Sequence, residues 1–232
     1  MSRTVRSASS TPEVDHAGPS AVDPRRSISS ATRSTRAFAG PKERLPTSFR
    51  YRFQYGSRTD GTPAVALIDE HGQQIGDLLT DNSHEGDGYR FHDVMHFAFV
   101  AILGWSPVAR KVLERKRRSD ARINEVEDGG RATVIDEAIV AMIFDYIQHD
   151  LQATDGMTRI DSETLRSVRA LTRGFEVQSR TESQWEEAIL KGLDVWRRVE
   201  AGDGGIVIGD FATRTFKYAP TRTRTTVGRR RS

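Results

Sequence analysis

The first clear hydrophobic rhythm is Phe49, Tyr51, Phe53 and Tyr55, aromatic at every second position, which predicts a strand with one buried face. Ala64 to Ile68, the His71-Gly72 turn signal and Gln74-Ile75 extend it into a small sheet. Asp81-Asn82-Ser83 and Gly86-Asp87-Gly88 then break the chain. Beyond that break the apolar spacing becomes helical. Helices are predicted near 89–103, 107–118, 129–149, 161–173 and 181–200, punctuated by Gly104, Pro107, Gly174 and Gly202. Thr181 and Gln184 have the spacing of a capping box for the last helix, whose Trp185, Ile189, Leu193 and Trp196 share one stripe. Ile206 to Ile208, a turn at Gly209-Asp210 and Arg214 to Tyr218 predict a closing hairpin. The expected fold is mainly α, a bundle of about five helices with short flanking antiparallel strands, N-terminal strands on one side and the C-terminal hairpin on the other.

Both ends depart from this patterning. Residues 1–36 hold 13 Ser or Thr, repeated Arg and few large apolar residues beyond Val5, Val14, Val22 and Ile28, too few to offset the entropy of ordering. The expected division is a disordered Ser/Arg-rich tail over 1–45, a helical domain with a small sheet over 46–219, and a basic disordered tail over 220–232.

Charge sharpens the division. The net +3 combines 8 basic and 4 acidic residues in 1–45, 20 and 28 in 46–212, and 7 and 0 in 213–232. The body is acidic, the reverse of a surface built to follow a phosphate backbone, so only the tails are expected to touch nucleic acid, weakly and without specificity. The absence of cysteine excludes disulfides, iron–sulfur clusters, thiolate zinc sites and thiol nucleophiles, so any metal must be held by oxygen or imidazole. No run approaches the roughly 18 apolar residues of a membrane span. Arg25-Arg26 lacks the apolar core of an export signal, so a cytoplasmic protein with no membrane partner is expected.

Candidate chemistry collects on two apolar helices. His92 and His96 are four apart and so lie on one face of the first helix, with Asp93 beside both. On the third helix Asp136 and Glu137 form a carboxylate pair in apolar surroundings, and Glu137 has Val134, Val140 and Ala141 as its helical neighbours. A carboxylate so placed suggests a metal ligand, a general base, or an ion pair with Arg131 or His92. Glu125-Val-Glu127-Asp128 adds acids just upstream, where the helix dipole alone would favour them. Between the helices, residues 110–118 hold six bases in nine positions, including Arg115, Lys116 and Arg118, either a solvated face or a site for phosphate.

Gly76-Asp-Leu-Leu-Thr-Asp-Asn82, Gly88-Tyr-Arg-Phe-His-Asp-Val-Met-His96, Leu103-Gly-Trp-Ser-Pro107, Glu125-Val-Glu-Asp-Gly-Gly-Arg131 and the Asp210 to Phe216 strand together resemble the C-terminal domain of MazG-type nucleoside triphosphate pyrophosphohydrolases, over roughly residues 65–218. The catalytic domain of that group uses Glu-x-x-Glu and Glu-x-x-Asp pairs to bind magnesium and cleave between the α and β phosphates. Here His92-Asp93-x-x-His96 stands where the first acidic pair would be expected, and the stretch upstream reads as disordered.

The resemblance implies a metal-dependent hydrolase or binder of a phosphorylated nucleotide. Asp93, Glu137 and His96 would be catalytic, and His92, Asp93, His96, Glu127, Asp128 and Glu137 would be metal ligands. Arg115, Lys116, Arg118, Asn82 and Arg131 would contact substrate, and Mg²⁺ or Mn²⁺ is expected ahead of Zn²⁺. A homo-oligomer is an expected partner state. One alternative is an HD-like phosphohydrolase in which His92-Asp93 joins an upstream histidine such as His71 or His84. Another is a non-catalytic interaction domain whose His and carboxylates form a structural network and whose Trp185 and Trp196 serve partner binding.

Overall fold

The alternating aromatics of the first strand find both of their neighbours within one sheet. The computed structural model describes residues 40–84, 86–149 and 157–221, so the Ser/Arg-rich stretch up to 39 and the basic stretch from 222 lie outside the described residues. Strands β1 (Ser48–Ser57), β2 (Pro63–Ile68), β3 (Gln74–Leu79), β4 (Gly204–Asp210) and β5 (Thr215–Ala219) form an antiparallel sheet ordered β3-β2-β1-β4-β5. The expectation of separate flanking strands is therefore corrected. β1 pairs with β4 from Ser48↔Asp210 to Gln54↔Gly204, which joins the N-terminal strands to the C-terminal hairpin. Phe49 and Phe53 point into the core and Arg50 and Arg52 away from it, so a single amphipathic strand sets the inner face of the sheet.

The helices are α1 (Asp93–Leu103), α2 (Pro107–Val112), α3 (Ala121–Val126), α4 (Gly130–His149), α5 (Ser162–Leu171) and α6 (Glu182–Ala201), of which α1 and α6 pack against β4 and β5. Every residue of α1 is buried, because this helix is packed between β4, β5, α6 and α4. The 107–118 helix of the sequence reading stops at Val112: Glu114 turns to a positive φ of 55° and the Arg115 N–H bonds the Arg110 carbonyl. The short α3, capped by Asp120, was not anticipated. The capping box of Thr181 and Gln184 is present.

Trp185 and Trp196 both lie in the core. Trp185 packs edge-on against Phe99 and Trp105, and Trp196 packs against Phe144 while its indole N–H donates to the Gly88 carbonyl at 3.3 Å. At the fold's N-terminal edge Leu45 is buried and the Glu43 carbonyl accepts from Arg110, so ordered structure precedes residue 46. Among the described residues no helix is long and apolar enough to cross a membrane.

Helix α6 approaches α1 closely at Gly192, where an added Cβ would lie 2.7 Å from Met95 Sδ and 3.1 Å from Ala98 Cβ. Gly192→Val is expected to cost about 1–3 kcal/mol through overpacking, read as a lower urea midpoint at unchanged slope. A midpoint equal to wild type would show that this contact yields freely.

Candidate functional site

The site begins at a turn. Gly88 adopts φ 79°, and a Cβ there would meet Trp196 and Glu200 at 3.1 Å, so glycine is required for the chain to enter the 3₁₀ turn Tyr89–Phe91. That turn delivers His92 to the start of α1, where its ring stacks on Tyr89 at 4.4 Å and its Nδ1 donates to the Tyr89 carbonyl at 2.8 Å. With Nδ1 engaged, Nε2 is the nitrogen left to act. It lies 3.5 Å from Asp93 Oδ1 and 3.9 Å from Glu137 Oε2.

One turn later His96 is held in the same way by a side chain. Its Nδ1 pairs with Asp136 Oδ1 at 3.0 Å, and its Nε2 lies 3.3 Å from Glu137 Oε2. The second oxygen of Asp136 accepts from Ser106 Oγ at 2.6 Å and from the Val108 N–H at 3.1 Å, so this buried carboxylate ties α1, the start of α2 and α4 together. His92, His96 and Glu137 thus bring three donor atoms within 4.8 Å of one another. Glu137 keeps its side chain 41% exposed, which opens the trio to solvent.

Electrostatics follow from this packing. Burial would lower the pKa of His96, but the charge and hydrogen bond of Asp136, the bond to Glu137 and the charge of Asp93 raise it to about 10. For Glu137 burial works upward and is outweighed by the bond and charge of His96 and the charges of His92 and Lys111, so its pKa is lowered. Asp136 and Glu137 bond the His96 ring, and the charge of Asp93 adds to theirs.

A family model described as the MazG C-terminal domain matches residues 35–222. The chain belongs to that family. Neither a curated protein nor a solved structure matches it.

Within this MazG C-terminal domain the remaining sequence candidates divide. Glu127 and Asp128 belong to a second network centred on buried Arg117. Asp128 accepts from the Arg117 N–H at 2.6 Å and from its guanidinium at 2.6–3.2 Å, Arg117 Nη1 reaches Glu176 at 2.8 Å, and Glu127 accepts from the Glu176 N–H at 3.0 Å. Neither acid is in the His-His-Glu trio, because Arg117 satisfies Asp128 and the Glu176 N–H bonds Glu127. Arg110 is buried as well, near Asp128 at 3.5 Å. Arg115 donates to the Pro41 carbonyl at 3.3 Å, Lys116 is half-buried, and Arg118 and Arg131 are exposed. Asn82 is exposed, with a positive φ of 53°, and accepts from Thr80. His71 and His84 are exposed in loops and outside the trio.

Three participants carry no site role in the sequence pattern. Asp136 was overshadowed by its neighbour Glu137, although the Ser106-Pro107 helix start it binds was visible as a punctuation point. Ser106 caps α2 and bonds Asp136 with the same hydroxyl. Lys111 is the member of the basic run whose charge reaches Glu137.

Burial chiefly, with the charges of Glu176 and Asp128, pushes Glu127 up to about 7, against the bond from the Glu176 N–H and the charge of Arg117. A carboxyl raised in the fold binds a proton more tightly there than in the unfolded chain. Stability should therefore fall as pH rises from about 4.5 to about 7. Melts of wild type and Glu127→Gln at pH 5 and pH 7.5 test this: the variant should lose less stability over the interval, and an unchanged pH dependence would remove Glu127 as its source.

Proposed function

We propose that this domain binds a divalent cation through His92, His96 and Glu137 and acts on, or holds, a phosphorylated nucleotide. One observation carries the reading: two histidines each spend Nδ1 on an oxygen acceptor and turn Nε2 toward the same half-exposed carboxylate. This is how imidazole ligands are oriented by their outer partners, the Tyr89 carbonyl and Asp136 filling that role. The donor set fits such an ion. Its two imidazoles shift the expected preference toward Mn²⁺ or Zn²⁺ and away from Mg²⁺, which favours oxygen ligands alone.

A bound cation would supply Lewis acidity toward a phosphate oxygen and lower the pKa of a water. The chain's own groups do the rest. Asp136 holds the His96 ring, Tyr89 holds the His92 ring, Asp93 adds negative charge beside His92, and Glu137 can accept a proton at its exposed edge. Lys111 is the first candidate to neutralise substrate phosphate, with Arg115, Lys116, Arg118, Arg131 and Asn82 as further contacts for a larger nucleotide.

One observation favours the non-catalytic reading: His96, raised to about 10, already satisfies both ring nitrogens with Asp136 and Glu137. A panel of nucleotides with Mn²⁺, Zn²⁺ or Mg²⁺, assayed for pyrophosphate and phosphate release, separates the two. Turnover abolished by chelator and restored by Mn²⁺ or Zn²⁺ supports the enzyme. No turnover with any cation, together with melting unaffected by chelator, supports the structural network.

A further inference from the structure

The corner where α5 hands the chain to α6 carries a different chemistry. Arg166, Arg169 and Arg173 are spaced i, i+3 and i+7 along the end of α5 and its exit, and they line a cavity of about 550 Å³ together with Arg180. Cations near a helix C-terminus are ordinary, since they complement the macrodipole. Arg180 is not accounted for in that way. It arrives from the 3₁₀ turn Glu176–Ser179, is half-buried, and lies 5.8 Å from the ring centre of Phe211. Burial and the charge of Arg214 lower its pKa from the usual guanidinium value, against the charge of Glu176.

Four arginines therefore line a cavity with one carboxylate, Glu182, which is already paired with Arg169 at 3.1 Å. Among the described residues Arg166, Arg173 and Arg180 form no ion pair with a carboxylate. This surplus runs against a body that holds 20 basic and 28 acidic residues over 46–212. The oxygen of Gln178 at the rim accepts from the Gly174 N–H, which leaves its amide NH₂ as a further donor. The cavity also abuts the first turn of the 20-residue α6, through Glu182 and Trp185, where the positive end of the helix dipole adds to the field.

We infer that this arginine-lined cavity is a binding site for a condensed phosphate chain, free or carried by a small molecule. Guanidinium forks match phosphate oxygens bidentately, and several arginines lining one cavity without carboxylate partners favour a multiply charged anion over a single carboxylate. The cavity is small for a duplex and contains none of the residues of the His-His-Glu trio, so recognition here needs no divalent cation.

The test is calorimetric titration of the full chain in EDTA with inorganic tripolyphosphate and, in parallel, a nucleoside triphosphate. EDTA makes the outcome independent of the proposed metal centre. Binding should be saturable and weakened roughly tenfold or more by the double charge reversal Arg166→Glu/Arg173→Glu. Both positions are exposed, so a melting curve close to wild type verifies the fold. Equal affinity for the two ligands assigns recognition to the phosphate chain, and tighter nucleotide binding assigns it to a phosphate chain carried by a nucleotide. The double reversal Arg50→Glu/Arg52→Glu on the outer sheet face should leave binding unchanged. Absence of binding, equal affinity in the cavity variant, or an equal loss in the sheet variant would overturn the assignment.

Discussion

Asp136→Ala is expected to cost about 3–5 kcal/mol of folding stability, because it strands a buried histidine charge, the Ser106 hydroxyl and the Val108 N–H at once. The effect should depend on pH. His96 has a pKa of about 10 in the fold against 6.5 in the unfolded chain, so its contribution is complete below about 6.5 and is lost as pH rises through about 10. Denaturant melts of wild type and Asp136→Ala at pH 6 and pH 9.5 test both parts. The variant should be much weaker at pH 6, and the gap should narrow at pH 9.5. A difference below about 1 kcal/mol at pH 6 would mean that this carboxylate does not tie α1 to α4 as described.

Glu137→Gln is the second large change, and its effect should fall on chemistry. The substitution keeps shape while removing a negative ligand and a proton acceptor at the open edge of the trio. Nucleotide turnover should drop ~10²-fold or more with little change in melting temperature. Retained turnover would keep the enzyme reading but take Glu137 out of it, while a large melting shift without measurable wild-type turnover would favour the structural network.

What the sequence disclosed, and what it hid, follows from the range of each interaction. The His92 and His96 ladder and the misplaced acidity of Glu137 are local, set by helical spacing against an apolar background. The Thr181 capping box is local too. The sheet was underestimated because the β1–β4 register joins residues 48–54 to 204–210, a pairing with no short-range signal. The helix expected to 118 ends at Val112 although no Gly or Pro intervenes, as buried Arg117 turns inward to Asp128. Glu127 and Asp128, whose place just upstream of the Glu137 helix and whose match to the resembled family suggested ligands, have Arg117 and Glu176 as their actual neighbours. Asp136 could be seen as one of a pair, but its distinction from Glu137 depends on which face of α4 meets Ser106 and which opens to water.

The proposed metal centre is tested most directly by counting the cation. Wild-type protein and His92→Ala, each stripped with chelator, are titrated with Mn²⁺ and with Zn²⁺ by calorimetry. Saturable binding of about one ion per chain is expected in wild type, with a loss of affinity of roughly tenfold or more in His92→Ala, whose fold is checked by melting. Wild type that binds neither ion, or a variant that binds as tightly as wild type, would contradict it.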